Sequence, residues 1–179
     1  DGSGGAAALA RADLTDELIR RHSEIMDRYD PEKRVALAVD EWGAWFQSEK
    51  DAPSQLYLES TLRDALIAAK SLNIFNRHAD RVRMANLAQM VNVIQSLVLT
   101  RGAEMVVTPT YHVFDMYKVH QGAQALPATV RTPAPVQGAV RLPAIDVSAS
   151  RASAGKLHVT LPTPDPATAN RRPDDRRVG

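Results

Sequence analysis

Apolar residues recur every three to four positions over much of the first 120 residues, which is the spacing of amphipathic helices. Residues 13–29 carry such a stripe and are predicted to form a helix with Asp13 as its N-cap. Asp30-Pro31 is predicted to end this helix, because proline disfavours helical backbone at the preceding residue. Residues 1–5 are mostly glycine and are predicted to be flexible. The apolar stripe consists of Leu14, Leu18, Ile25 and Tyr29.

Three later segments show the same helical spacing. Residues 55–72 have an apolar stripe of leucine and alanine and are predicted to form a second helix. Residues 88–99 form a strongly apolar run that is also predicted to be helical. Residues 111–120 place valine, methionine, tyrosine and histidine at helical intervals, which predicts a further helix.

Short apolar runs between these helices indicate β-strands. Residues 34–39, with the sequence RVALAV, are typical of a parallel strand buried on both faces. Residues 81–87 and 104–108 are further strand candidates. The alternation of helices and strands predicts α/β units. Two buried parallel strands do not make a stable sheet by themselves, so this half is predicted to be a slice of a larger α/β domain.

Composition divides the chain near residue 120. All nine aromatic residues lie at or before Tyr117, and nine of the eleven prolines lie at or after Pro109. Residues 1–120 carry a net charge of −3, whereas residues 121–179 carry +4. The first part therefore has the side chains to bury a core, and the second has few.

Extended runs in the second part predict short strands. Residues 139–142 and 156–161 are such runs, and residues 121–161 are predicted to form part of an antiparallel β domain. Residues 162–179 are rich in proline, aspartate and arginine and are predicted to be disordered.

The overall composition excludes several classes of protein. With 44% hydrophobic and 24% charged residues, the 179-residue chain resembles an ordinary globular protein, and the lack of cysteine excludes a disulfide scaffold. No apolar run reaches the roughly 20 residues of a membrane helix. The arginines near the C-terminus are interrupted by Asp174 and Asp175 and have no aromatic neighbour for base stacking. We therefore expect neither nucleic acid nor a membrane as a partner.

Histidines and nearby acids could suggest a metal site. His78 and Asp80 have no third ligand candidate at a suitable spacing, so we expect them to be structural and predict no metal site. His112 and His120 lie among tyrosines in a predicted helix, which favours packing over chemistry.

The residues that indicate chemistry follow the first predicted strand. Asp40 and Glu41 follow this strand directly, and Trp42 and Trp45 come within the next four residues. Functional groups of parallel α/β folds lie at the carboxyl ends of strands, and indole faces pack against the C–H faces of sugars. The alternative is a strand-end acid that caps the next element, with the tryptophans in the core. Asp40 is expected to orient the strand end through backbone hydrogen bonds.

The surrounding sequence resembles family 51 α-L-arabinofuranosidases. The resemblance covers about residues 12–120 and, more weakly, Ala149 to Leu161. It rests on the blocks IRRHSEIMDRYDPEKRVALAVDEWG, TLRDALIAAKSLNIFNRHADRVRMANLAQMVNVIQSLVLT and TPTYHVFDMYKVHQ, in this order. Such enzymes are retaining glycosidases with a (β/α)8 barrel and a C-terminal β-sandwich. The resemblance thus implies the last part of a TIM barrel over residues 1–120, a partial β-sandwich over 121–161 and a disordered tail over 162–179.

The resemblance also implies roles for three residues. Glu41 would be the catalytic nucleophile at the end of the seventh barrel strand. Gln89, at the end of the eighth strand, would hydrogen-bond the sugar or the nucleophile, whereas without the family it is better explained as a polar residue that opens a helix. Trp45 would wall the sugar site, with core packing as the alternative. The resemblance implies no cofactor, an arabinose-containing oligosaccharide or polysaccharide as substrate, a cytoplasmic location and a homo-oligomeric parent enzyme.

The chain departs from the family pattern at two places. The family's acid/base is the glutamate of an Asn-Glu pair, and this sequence contains no Asn-Glu dipeptide. The chain is therefore expected to be a C-terminal fragment that is inactive alone. The tail PTPDPATANRRPDDRRVG has no strand pattern, which suggests a frameshift or truncation. The alternatives are a standalone helical interaction protein derived from such an enzyme, and a β-xylosidase of the same clan, against which the long matching blocks argue.

Overall fold

The computed structural model describes residues 2–46, 56–134, 136–137 and 139–163. These residues form a mixture of helices and strands, which confirms the α/β character of the sequence at that level. Residues 164–179, most of the tail predicted to be disordered, lie outside the described residues. No helix in the described ranges combines the length and hydropathy that crossing a bilayer requires.

Helix α1 spans Gly2–Arg11. The prediction of a flexible start is therefore wrong from Gly2 onward. Alanine has the highest helix propensity, and the alanine-rich sequence that follows the glycines is continuous with them in one helix. Ala6 and Leu9 are buried in a small core with Ile67 and Leu142, so packing also stabilises this helix.

Helix α2 spans Asp13–Tyr29 and ends where the sequence predicts. Its N-cap is Ala12 rather than Asp13, so the predicted cap is wrong by one residue. Asp13 instead lies in the first turn, where the helix dipole favours a carboxylate. Ile19 is the buried apolar side chain of this helix. The predicted apolar stripe is exposed, at 58% for Leu14, 46% for Leu18, 54% for Ile25 and 86% for Tyr29.

Two further helices lie in the middle of the chain. Helix α3 spans Leu62–Arg77, so the helix predicted over residues 55–72 is present but begins and ends later. Helix α4 spans Pro109–Tyr117 and continues as a 3-10 turn over Lys118–His120, which confirms the prediction for residues 111–120. Proline stands at the first turn of α4, where its missing N–H costs no helical hydrogen bond.

Strands β1 (Leu37–Trp42) and β2 (Val82–Leu87) form a parallel pair connected through α3. The register places Leu37 opposite Val82 and Trp42 opposite Leu87. Both predicted strands are present, but β1 begins and ends three residues later than the predicted 34–39. The expectation that they are buried on both faces is wrong for this chain. In β1, Leu37 and Val39 are half-buried, whereas the residues that alternate with them are exposed. Within the described residues this sheet has two strands, and one of its faces is open to solvent.

The apolar segment 88–99 is not a helix, so that prediction is wrong. It forms bends that lead into a hairpin of β3 (Val98–Arg101) and β4 (Glu104–Val107). Asn92 and Gln95 have φ values of 56° and 59°, in the left-handed region that a helix cannot contain. The side chain of Asn92 pairs with the backbone N–H and carbonyl of Thr100 at 2.7 and 3.1 Å, which holds the turned segment against β3. The strand predicted at 104–108 is confirmed by β4.

Short antiparallel strands follow the last helix. Strands β5 (Gln124–Leu126), β8 (Ser148–Arg151) and β9 (Leu157–Thr160) form one sheet in the order β5-β8-β9. Strands β6 (Val136–Gln137) and β7 (Val140–Arg141) form a separate short pair. The extended runs predicted at 139–142 and 156–161 are therefore present as strands.

A buried arginine joins the end of α2 to both parallel strands. Arg81 is 1% exposed and lies immediately before β2. Its guanidinium donates to a side-chain oxygen of Asp30 at 2.9 Å, to the carbonyl of Val35 at 2.8 Å and to Asp27. Backbone N–H groups, led by that of Val35, together with Arg81 hold the pKa of Asp30 below its usual value. This arginine fixes the segment that leads into β1 relative to β2.

A polar network connects α3, α4 and β8. The Tyr117 hydroxyl lies 2.7 Å from Oδ1 of Asn73 and 3.2 Å from the Ala69 carbonyl, and Ser148 Oγ donates to the same Asn73 oxygen at 2.6 Å. Tyr117, Asn73 and Ser148 are all buried. Burial raises the pKa of Tyr117, so its hydroxyl remains a neutral donor.

Candidate functional site

Glu41, Gln89 and Trp45 lie at or just beyond the carboxyl ends of the two parallel strands. Glu41 is the penultimate residue of β1, one residue before the Trp42–Leu87 register pair, and Gln89 follows β2 by two residues. The Ala88 N–H donates to the Trp42 carbonyl at 3.1 Å, which extends the strand pairing towards Gln89. These carboxyl ends form the edge of the sheet at which functional groups of parallel folds lie.

The two tryptophans occupy opposite environments. Trp42 is 8% exposed and packs in the core against Phe75, edge to face at 5.2 Å, and against Phe114, stacked at 6.0 Å. Trp45 is 65% exposed. The alternative of core packing is therefore correct for Trp42 and wrong for Trp45, whose indole is open to a ligand.

Asp40 and Glu41 both point away from the core. Both side chains are exposed, and Oδ1 of Asp40 accepts a hydrogen bond of 3.1 Å from the Asn86 amide on β2. The prediction that Asp40 orients the strand end through backbone hydrogen bonds is thus replaced by a side-chain bond across the two strands. An exposed carboxylate such as Glu41 has the chemistry of a nucleophile or of a base.

Gln89 does not open a helix, contrary to the explanation that ignores the family. Its side chain is exposed, its backbone N–H donates to the Ile94 carbonyl at 2.9 Å, and the Ala88–Gln89 peptide bond is cis. The backbone hydrogen bond holds Gln89 just beyond the carboxyl end of β2, with a side-chain amide that can both donate and accept.

Sequence reasoning missed two buried polar residues behind this edge. Gln95 is 4% exposed and Asp64 is 2% exposed, and the Gln95 amide donates to Oδ1 of Asp64 at 3.1 Å. The same amide donates to the Ala44 carbonyl at 3.0 Å, in the loop that follows β1. The Thr61-x-x-Asp64 spacing is a capping signal that the sequence does show. Gln95 lies in an apolar run and gives no such signal.

His78 and Asp80 each pair with a charged side chain from the segment before β1. Nε2 of His78 lies 2.9 Å from Oδ1 of Asp16 on α2, and Asp80 pairs with Lys33. Among the described residues, no group of three His, Cys, Asp or Glu side chains could hold a metal ion. His112 is exposed and contacts the ring of Tyr111 edge to face.

His120 joins the 3-10 turn to the antiparallel sheet. Its ring nitrogens lie 2.7 Å from Ser150 Oγ and 2.6 Å from Thr160 Oγ1, and its ring packs against Tyr117 at 5.7 Å. Burial, and to a lesser degree the charge of His158, lower its pKa. These contacts agree with the packing role predicted for it.

A surface cleft of about 630 Å³ lies at the other end of β2, between its first residues, the end of α3 and strand β5. Its lining includes Arg83, Asp80 and Ser148, and it includes none of Glu41, Gln89 and Trp45. Glu41, Gln89 and Trp45 are all exposed, so the carboxyl end of the two strands is open to solvent on the described surface. A single carboxylate with an amide and an indole beside it can bind a sugar and attack it, but hydrolysis with retention needs a second carboxyl group about 5 Å away.

Comparisons with known proteins indicate the family of the chain. The sequence profile described as Alpha-L-arabinofuranosidase C-terminal domain matches residues 40–178. An intracellular exo-α-L-arabinofuranosidase of Bacteroides ovatus is 43% identical over 152 residues, which are 84% of this chain and 30% of that protein. An intracellular exo-α-(1→5)-L-arabinofuranosidase of Halalkalibacterium halodurans is 33% identical over 138 residues, which are 70% of this chain and 28% of that protein.

A solved structure is also similar over most of the chain. The crystal structure of the GH51 arabinofuranosidase from Xanthomonas axonopodis pv. citri superposes with a TM-score of 0.88 and 47% sequence identity. The superposition covers 92% of this chain and 34% of that chain. The chain therefore spans about a third of the length of the proteins that it matches.

Proposed function

Because the chain belongs to the α-L-arabinofuranosidase C-terminal domain family, we propose that it is the C-terminal part of a retaining glycoside hydrolase. The enzyme would release terminal α-L-arabinofuranosyl residues from arabinan- or arabinoxylan-type saccharides. The observation that supports this most is the position of Glu41, an exposed carboxylate at the carboxyl end of β1, beside the turn that carries Gln89.

The proposed architecture makes β1 and β2 the seventh and eighth strands of a (β/α)8 barrel, within residues 1–120. Residues 121–161 would begin the C-terminal β-sandwich. Two features support this proposal. The parallel pair is connected through a helix, as barrel strands are, whereas β5, β8 and β9 are antiparallel.

Exposed apolar surface gives independent support to a larger domain. The stripe on α2 is 46–86% exposed, and Val35 and Met84 beside the open sheet are 60% and 56% exposed. Monomeric proteins rarely leave large apolar patches in water, so this surface fits one that the preceding barrel strands and helices cover. The same mixed structure and the enzymes matched above do not favour the alternative of a standalone helical interaction protein.

In the proposed mechanism, Glu41 attacks the anomeric carbon of the arabinofuranosyl group while the bond to the leaving oxygen breaks. A second carboxyl group, supplied by the preceding part of the barrel, donates a proton to that oxygen and later takes one from water. Water then releases arabinose from Glu41 with net retention. Gln89 would hydrogen-bond the sugar or Glu41, and Trp45 would wall the sugar site. In this proposal the acid/base carboxyl group lies in the preceding part of the barrel, so the chain alone would be inactive.

The proposal extends to location and assembly. The two curated relatives described above are named intracellular enzymes, and we propose a cytoplasmic location for the enzyme that contains this chain. We also propose that the parent enzyme is a homo-oligomer and that it needs no cofactor, since two carboxyl groups suffice for the chemistry.

The test uses the full-length polypeptide that contains these residues, assayed on 4-nitrophenyl α-L-arabinofuranoside. Glu41→Gln should lower kcat by about ten-thousandfold or more, because the nucleophile is lost and the fold is kept. Glu32→Gln is the matched control, since Glu32 is an exposed carboxylate that pairs with Arg34 before β1. Its kcat should stay within about twofold.

Azide distinguishes a nucleophile from other carboxylates. In Glu41→Gly, azide should restore turnover and yield the arabinofuranosyl azide of inverted configuration, because the small anion enters the vacated space. Full activity of Glu41→Gln, or no rescue in a variant that is folded by circular dichroism, would refute the assignment. A separate assay of the 179-residue chain should show no hydrolysis.

A further inference from the structure

We propose that Gln95 is a positioning residue that fixes the loop carrying Trp45 at the sugar site. The loop consists of residues 43–46 and follows the strand that ends with Glu41. It is attached to the N-terminal turn of α3 at two points, one on each side of Trp45. This inference rests on the proposed function for its catalytic consequence but not for its structural content.

The first attachment is at Ala44. The Gln95 side-chain amide has two N–H groups, and they donate to the Ala44 carbonyl at 3.0 Å and to Oδ1 of Asp64 at 3.1 Å. The other oxygen of Asp64 accepts from the backbone N–H and the hydroxyl of Thr61 at 2.9 and 2.7 Å. The amide therefore links the loop to the capping box of α3 and uses both of its donors to do so.

The backbone at Gly43 also lies close to the side chain of Gln95. Gly43 has a φ of +137°, which L side chains rarely adopt, and a Cβ placed there would lie 2.9 Å from Cγ of Gln95. The backbone of the loop and the Gln95 side chain thus fit directly against each other. Gln95 itself has a φ of 59°, an uncommon conformation for a residue with a side chain.

The second attachment is at Phe46. The guanidinium of Arg63 lies 3.6 Å from the centre of the Phe46 ring, and Nη2 of Arg63 lies 3.6 Å from Oδ2 of Asp64. A cation over an aromatic face at this distance is attractive. The residues on either side of Trp45, Ala44 and Phe46, are therefore both attached to this cluster, whereas the Trp45 side chain is 65% exposed.

The burial of this cluster sets the expected strength of its effect. Gln95 and Asp64 are at least 96% buried, so their hydrogen bonds are shielded from competition by water. Within the described residues, Oε1 of Gln95 has no hydrogen-bond partner. The side-chain hydrogen bonds of Gln95 are thus the two that it donates, to the loop and to α3. Gln95→Leu keeps a side chain of similar size and removes both.

The first experiment needs no activity. The chain is labelled with tryptophan fluorinated on the indole ring, and its two fluorine NMR signals are assigned with Trp45→Phe. Gln95→Leu should shift or broaden the Trp45 signal and leave the Trp42 signal in place. Ser148→Ala is the matched control, because Ser148 is 3% exposed and makes two side-chain hydrogen bonds near the other end of α3. It should leave the Trp45 signal unchanged.

The second experiment measures kinetics in the full-length polypeptide that contains these residues. Gln95→Leu should lower kcat/KM on 4-nitrophenyl α-L-arabinofuranoside by roughly ten- to a hundredfold, since a misplacement of about 1 Å costs on the order of a hundredfold. Ser148→Ala should lower the melting temperature to a similar degree with kcat/KM within twofold.

The outcomes separate the two proposals. If the wild-type enzyme is inactive on arabinofuranosides but the Trp45 signal responds to Gln95→Leu, the proposed function fails and the attachment of the loop stands. If the enzyme is active and Gln95→Leu changes neither the Trp45 signal nor kcat/KM beyond the Ser148→Ala control, Gln95 is only a core residue and the inference is overturned. A Gln95→Leu chain that unfolds is replaced by Gln95→Met, to which the same criteria apply.

Discussion

The contrast between Trp42 and Trp45 yields a quantitative prediction for the 179-residue chain. Trp42→Ala removes a side chain that is 92% buried between two aromatic rings, whereas Trp45→Ala removes one that is 65% exposed. Large-to-small substitutions of buried aromatic residues cost about 3–5 kcal/mol, because apolar transfer energy and packing are both lost. Exposed substitutions usually change the free energy of unfolding by less than about 0.5 kcal/mol.

Hydrogen bonding does not add to the loss expected for Trp42→Ala. Among the described residues, the buried Nε1 of Trp42 has no hydrogen-bond partner, so its removal breaks no bond and strands no acceptor. Trp42→Phe keeps most of the packing with Phe75 and Phe114 and should cost about 1.5 kcal/mol or less. The three variants therefore form a graded series in which packing is the main variable.

The assay is urea unfolding followed by far-UV circular dichroism. With a slope of about 2 kcal/mol per molar urea, the Trp42→Ala midpoint should fall by roughly 1.5–2.5 M, and the Trp45→Ala midpoint by less than about 0.3 M. If Trp42→Ala proves too unstable to titrate, the Trp42→Phe and Trp45→Ala midpoints still test the order. The assignment of Trp42 to the core would be refuted if Trp42→Phe and Trp45→Ala had the same urea midpoint and slope. It would also be refuted if the midpoint of Trp42→Ala stayed near that of the wild type.

Three further predictions concern the network, the pH dependence and the loop. Tyr117→Phe should lower the free energy of unfolding by about 1 kcal/mol in urea titrations, because the Ala69 carbonyl and Oδ1 of Asn73 on α3 lose the buried hydroxyl as their donor. Burial lowers the pKa of His120 in the folded chain, so the unfolded chain binds a proton at this residue more readily. The contribution of His120 to stability is therefore complete above its unfolded pKa of about 6.5 and is lost as the pH falls below that value. Urea midpoints at pH 7.5 and 5.5 should therefore differ more in the wild type than in His120→Gln, and equal differences would contradict this. Gly43→Ala should destabilise the chain, because the new Cβ meets Gln95 in a strained backbone. In the double variant, Gln95→Ala should restore part of that loss. If the losses of the two single variants simply add up in the double variant, the contact is excluded.

Local sequence signals succeeded where a single chemical effect dominates. Asp30-Pro31 ends α2, because the steric effect of proline acts on the preceding residue whatever the tertiary structure. The strand predicted at 104–108 is likewise present as β4. The segment 88–99 failed because its apolar spacing fits a helix, while Asn92 and Gln95 adopt left-handed backbone that contacts elsewhere in the chain hold in place.

The candidate site divides in the same way. Glu41, Gln89 and Trp45 could be named from the sequence through a family resemblance, and their placement at one edge follows from the parallel pairing of β1 with β2. Gln95 could not be named, because a glutamine in an apolar run carries no periodic or motif signal. Its partners, Ala44 and Asp64, lie 51 and 31 residues away in sequence.

The sequence by itself determined the order and type of most elements, the family to which the chain belongs and the carboxylate at the end of β1. Tertiary structure alone decided which tryptophan is buried, which face of α2 is covered and what holds the loop after Glu41. The physical reason is range. Backbone sterics and capping act within a few residues along the chain, whereas burial and side-chain hydrogen bonds depend on groups that only folding brings together.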